Sequence, residues 1–126
     1  MRVLLVDDEE RFVSVLAKRL RLRGFQADFV CKGEDALRAA EEGRYDLALL
    51  DIKMPGMGGL ELRRRLAGIA PGMRFVFVTG HGSQGDYETG RAEGCPYIAK
   101  PFEIEELIET IGGLGAASDS GKGGEG

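Results

Sequence analysis

A single histidine, only two cysteines and no long apolar stretch are the most telling shortages in this chain of 126 residues. Each removes a class of function. Cys31 and Cys95 lie far apart and have only His81 for company, so no thiolate–imidazole metal site has ligand spacing here. Nowhere is there the run of about 20 apolar residues that a helix needs to cross a bilayer, so no membrane association is expected. The first apolar run, residues 3–6, is cut off at once by Asp7, Asp8, Glu9 and Glu10, which is no secretory signal. The expected location is therefore cytoplasmic, with both thiols reduced. Lys and Arg total 17 against 21 Asp and Glu, a net charge of −4. The basic runs at 18–23 and 63–65 fall inside predicted helices and read as solvated faces, so no direct nucleic-acid surface is expected either.

What is present suits one soluble domain. Hydrophobic residues make up 43% and charged residues 30%, and the length suffices for a single core. Nearly unbroken apolar runs at 3–6, 47–50 and 75–78 read as strands buried on both faces. Residues 27–30 and the short 97–99 read as edge strands. Between them lie helical stripes: Val13, Leu16, Ala17 and Leu20 in a helix over 9–23; Ala36, Ala39 and Ala40; Leu62, Leu66 and Ile69; and Ile104, Leu107, Ile108 and Ile111. Gly24 and Gly43 fall just past helix ends, where a left-handed glycine is favoured. A fourth helix over 83–93 carries Gly85 and Gly90 and is expected to be short or mobile. Five βα units in series predict an α/β fold, a flavodoxin-like doubly wound parallel (βα)5 sheet in the order 2-1-3-4-5. The domain is expected over 1–112, with 113–126 a glycine-rich disordered tail.

In such a sheet, ligands bind beyond the carboxyl ends of the strands. Asp7 and Asp8 follow strand one, Asp51 strand three, Thr79 strand four and Lys100 strand five. Any one of these alone reads as a helix cap or a turn. Together, on neighbouring strands, they predict three carboxylates in one crevice with a single ammonium. Such a crowd calls for a hard divalent cation, and Mg²⁺ suits a few carboxylates combined with waters and a phosphate. Thr79 and Lys100 offer donors to phosphate oxygens. The set reads as a phosphoryl-transfer site with a carboxylate nucleophile.

With these residues in hand the chain resembles the receiver domains of bacterial two-component response regulators. The matching pieces are Asp7-Asp8, the segment from Asp51 through Lys53, Met54, Pro55 and Gly56 to Gly59, then Thr79-Gly80 and Lys100-Pro101-Phe102. The resemblance implies that Asp51 accepts a phosphoryl group from a phosphohistidine on a sensor histidine kinase or histidine phosphotransfer protein. It implies that Asp8, Asp51 and the backbone carbonyl of Lys53 ligate Mg²⁺, with Asp7 acting through water, and that Lys100 pairs with Asp51 until phosphate arrives. It further implies a cis Lys100–Pro101 peptide. On phosphorylation, the resemblance implies, Thr79 moves to the phosphate and Tyr97 rotates inward, altering the face of the fourth helix, fifth strand and fifth helix toward a downstream protein. His81 reads as a solvated loop residue, or, with Lys53, as a modulator of hydrolysis. On this view the chain is no enzyme beyond its own phosphorylation and dephosphorylation.

Two rival readings are weaker. A haloacid-dehalogenase-like phosphatase would place a second Asp two residues after the nucleophile, where this chain has Lys53. A flavin or nucleotide module would carry a glycine-rich loop after strand one, where this chain is acidic.

Overall fold

The computed structural model describes residues 1–80 and 94–120, the side chains of 115–120 excepted. The elements run β1 (Arg2–Val6), α1 (Glu10–Leu22), β2 (Gln26–Val30), α2 (Gly33–Glu42), β3 (Leu47–Asp51), α3 (Gly59–Ile69), β4 (Arg74–Thr79), β5 (Tyr97–Ala99) and α4 (Ile104–Ser120). The helix expected over 83–93 and His81 lie outside the described residues, so α4 here corresponds to the fifth of the helices expected from the sequence.

All strand pairs are parallel, in the order β2-β1-β3-β4-β5. Period-two alternation explains why the central strands are apolar throughout. Val3, Leu5, Leu47, Leu49, Val76, Val78 and Ile98 face one layer with α1 and α4. Leu4, Val6, Ala48, Leu50, Phe75 and Phe77 face the other, with α2 and α3. The edge strands are more mixed: β2 exposes Gln26 and Asp28, and only Ile98 of β5 is fully buried.

Three local expectations need correction. Gly24 has φ +94 and closes α1 as expected, its N–H donating to Arg21 O while Phe25 N–H donates to Leu20 O. Gly43 does not adopt that conformation; it is extended, with φ −141. What a side chain would meet there is the guanidinium of Arg2, at 3.3 Å, so the glycine leaves room for a side chain from β1. Ile69, placed on the buried stripe of α3, is exposed at the helix end, whereas Leu62 and Leu66 are fully buried. Finally, the last helix does not stop at residue 112 but runs to Ser120. Leu114, three residues beyond Ile111, packs against the α1 side of the core and its carbonyl accepts from Arg74 Nη1 at 3.3 Å. That contact continues the apolar stripe past two glycines, which the composition of the segment conceals. Residues 121–126 of the expected tail lie outside the described residues.

Cys31 and Cys95 form no disulfide; one lies after the β2 edge and one before the β5 edge. No helix among the described residues is long and apolar enough to cross a membrane.

Candidate phosphoacceptor site

The register of the sheet delivers the polar residues to one rim. Asp51 ends β3, Thr79 ends β4, and Asp7 and Lys100 are the residues immediately after β1 and β5. Backbone hydrogen bonds extend the ladder across this rim: Asp7 N–H to Val30 O, Ile52 N–H to Val78 O, and Lys100 N–H to Thr79 O at 2.9 Å. The side chains therefore converge because the strands end together. The Lys100–Pro101 peptide is cis, in keeping with the resemblance.

Asp7, Asp8 and Asp51 each place a carboxylate oxygen within 4.8 Å of the others. Asp7 and Asp51 are buried, and Asp8 is exposed at the mouth. Lys100 Nζ stands 2.8 Å from Asp7 Oδ2 and 4.0 Å from Asp51 Oδ2. The expected pairing of Lys100 with Asp51 is thus the longer of its contacts; Asp7 and Glu9 hold the ammonium more closely. Asp51 Oδ1 accepts from Lys53 N–H at 3.3 Å, which sets the Lys53 backbone beside the Asp51 carboxylate. Thr79 is completely buried, and its Oγ1 has no hydrogen-bond partner among the described residues. Tyr97 is half-buried on β5 and packs against the cluster containing Leu50 and Phe77.

Electrostatics follow from this crowding. The Asp51 carboxyl is pushed up to about 7, first by burial and then by the charge of Asp7, against the opposing pull of Lys100 and the Lys53 N–H. Burial acts to lower the Lys100 ammonium, but its hydrogen bonds to Asp7 and Glu9 and the charges of Asp7 and Asp51 outweigh that and hold it above its usual value. Three carboxylates against one ammonium leave the rim short of positive charge, and every donor atom is a hard oxygen. That donor set fits a divalent cation such as Mg²⁺. The orphaned Thr79 hydroxyl fits an incoming oxygen-rich group, because a buried donor left unpaired is costly to keep.

A pH dependence results. A folded carboxyl raised from 3.8 to about 7 favours folding fully below the lower value, and that contribution is lost as pH rises through the upper one. Without divalent metal, the urea midpoint of the domain should therefore fall between about pH 5 and about pH 8. Asp51→Asn should flatten that part of the profile.

Two participants escaped the sequence reading. Glu9 was seen only as part of an acidic run, yet Oε1 lies 2.5 Å from Lys100 Nζ. Phe12 places its ring under the same ammonium, 4.5 Å from centroid to Nζ, and meets Phe102 edge-on at 5.8 Å. The one available signal was spacing: residues 9 and 12 share a helical face at the start of α1.

Known proteins show the same pattern. The family profile described as response regulator receiver domain matches residues 3–112. Among curated proteins, the chain is 40% identical over 110 residues to the uncharacterized transcriptional regulatory protein YkoG of Bacillus subtilis, covering 86% of this chain and 48% of that one. It is 36% identical over 115 residues to the two-component response regulator PhoP of Pseudomonas aeruginosa, covering 90% and 51%. The chain thus spans about half the length of these relatives. Among solved structures, a CheY-like response regulator receiver domain protein from Methanospirillum hungatei aligns with a TM-score of 0.81 at 31% identity, covering 90% of this chain and 91% of that one. A response regulator receiver protein from Burkholderia phymatum aligns with a TM-score of 0.75 at 37% identity, covering 87% and 90%. With its strand order, its acidic rim and a profile match across nearly the whole domain, this chain belongs to the receiver domain family of two-component response regulators.

Proposed function

We propose that the domain takes a phosphoryl group onto Asp51 from a phosphohistidine on a sensor histidine kinase or histidine phosphotransfer protein, and signals the change to a downstream protein. The observation that supports this reading best is the gathering of Asp7, Asp8 and Asp51 within 4.8 Å, with Lys100 alongside. In the transfer, an Asp51 carboxylate oxygen bonds to phosphorus as the bond from phosphorus to the donor's imidazole nitrogen breaks. The nitrogen leaves with the bonding electron pair and takes up a proton. Asp7, Asp8, Asp51 and the Lys53 carbonyl are the residues proposed to hold Mg²⁺. Mg²⁺ bound there supplies the positive charge that lets the carboxylates ionise together and offsets the phosphoryl oxygens. Burial of Asp51 limits access of water to the new acyl phosphate. Lys100 donates to one phosphoryl oxygen and the Thr79 hydroxyl to another.

The switch follows from the added charge. Nearly two negative charges and three acceptor oxygens at Asp51 favour any arrangement that brings Thr79 and Lys100 closer. Tyr97 is proposed to move with Thr79, since their strands are paired next to one another, Thr79 with Ala99 and Phe77 with Tyr97. The two states need differ by only a few kcal/mol. The net charge of −4 favours a protein rather than a nucleic acid as the direct partner of this domain. Relatives that match over slightly less than half of their own length and are named transcriptional regulatory proteins suggest a second output, through a DNA-binding part of a longer polypeptide. The length of the native open reading frame separates the two.

Incubation with labelled acetyl phosphate tests the reading. Label should enter only with Mg²⁺ present, and should resist acid but be released by base and hydroxylamine, as an acyl phosphate is. Metal-independent label, or label stable to hydroxylamine, would remove Asp51 from the account. Thr79→Val makes a quieter test. Because it deletes, at similar shape, a buried hydroxyl that has no partner among the described residues, urea denaturation should show it neutral, or stabilising by up to about 1 kcal/mol. Its affinity for beryllofluoride should nonetheless fall about three- to tenfold, the worth of one hydrogen bond.

A further inference from the structure

Glu9 stands at the entrance of α1, and its position is doubly determined. Its backbone N–H donates to Asp7 Oδ1 at 2.9 Å, while its side chain, 63% exposed, turns back to place Oε1 2.5 Å from Lys100 Nζ. The same ammonium is 2.8 Å from Asp7 Oδ2 and sits over the Phe12 ring at 4.5 Å. Held on these sides, Nζ stays 4.0 Å from Asp51 Oδ2, beyond hydrogen-bond distance. An ammonium has three N–H donors, and two carboxylates other than the nucleophile lie within reach of them.

We propose that Glu9 is a positioning residue: it latches Lys100 in a resting place away from Asp51 and so sets how readily the ammonium is released to an incoming phosphoryl group. The inference rests on the reading of Asp51 as phosphoacceptor. One of the three donors is uncommitted, but Nζ must move from its place 4.0 Å from Asp51 Oδ2 toward the phosphoryl group, and that shift stretches its contacts with the two carboxylates until one yields. Asp7 is 3% exposed and, left behind, would be a buried charge without its partner, whereas Glu9 passes into solvent at little cost. Glu9 is therefore the contact that is exchanged. It stabilises the resting state and not the transfer, so removing it should speed the chemistry.

Two substitutions and two readouts test this. Glu9→Gln removes the charge; Glu9→Asp keeps the charge but is one methylene too short for the contact. With acetyl phosphate and Mg²⁺, both should be labelled on Asp51 about two- to fivefold faster than wild type, in the range an exposed ion pair can supply. In the metal-free protein, the Lys100 ammonium protons, observed by nitrogen-15 NMR, should exchange with water measurably faster in both variants. Unchanged labelling, slower labelling, or a Glu9→Asp protein that behaves as wild type would each overturn the latch, the last because charge alone would then suffice. If wild type takes no label on Asp51 at all, the phosphoacceptor reading fails. The ammonium exchange then decides the latch by itself: unchanged exchange in the variants overturns it.

Discussion

Asp51→Asn should take up no label from acetyl phosphate above background, a fall of at least about 100-fold, since it removes the proposed nucleophile itself and not a group that assists it. The expectation is sharp because the substitution leaves the surroundings in place. An asparagine has the same shape, its Oδ1 can still accept from the Lys53 N–H that now reaches Asp51 at 3.3 Å, and no neighbour is displaced. It also relieves the rim. Asp51 is pushed up to about 7 by burial and by Asp7, so at pH values above that the metal-free wild type holds an unwelcome charge which the amide does not carry. The variant should accordingly be more stable than wild type above neutral pH in the presence of a chelator, by roughly 1–2 kcal/mol, with little difference near pH 5. Urea titrations at the two pH values check this. A variant that loses label because it has unfolded would show the opposite.

Gly59→Ala should do damage of a different kind. An added Cβ at the first residue of α3 would lie 2.5 Å from the backbone oxygen of Asp51 and 2.9 Å from Ile52 Cα. Neither is the yielding end of a side chain. Gly59 N–H also donates to Ile52 O at 2.9 Å, so the helix is pinned against the strand end at the point where the methyl would intrude. Either α3 withdraws or the end of β3 moves, and both carry Asp51 with them. We expect a loss of roughly 2–4 kcal/mol, read as a lowered urea midpoint, and a slower labelling of the fraction that remains folded. Gly68→Ala, where nothing lies within 4 Å of the added carbon, is the matched control; as a helix-interior replacement it should be neutral or stabilising.

These two residues also show how far the sequence could be read. Asp51 was legible because chemistry-bearing residues recur at the same place in successive βα units, and the strand order follows from which runs are apolar on both faces. Leu49 and Leu50 announce a central strand, and an aspartate at its end belongs to the rim. Gly59 was visible only as a letter in a motif, since close approach of two backbones leaves no trace in composition. Gly43 misled for the same reason: glycine after a helix signals a left-handed cap, yet here it makes space for Arg2. The end of α4 was misjudged because Gly112 and Gly113 outweigh Leu114 in a local reading, while in three dimensions Leu114 finds the core. Glu9 and Phe12 were hidden because their partner, Lys100, lies 91 residues from Glu9, and an acidic run does not say which of its members turns inward. Tertiary contacts of exposed side chains are the part that pattern cannot reach.

The measurement closest to the heart of the account is a Mg²⁺ titration of the wild-type domain near neutral pH, followed through the side-chain carboxyl carbons of Asp7, Asp8 and Asp51 by carbon-13 NMR. All three signals should shift along one saturating curve with a single affinity, as they must if one ion serves the whole cluster. If the three respond independently, or do not respond at all, the rim is an acidic surface and not a phosphoacceptor site.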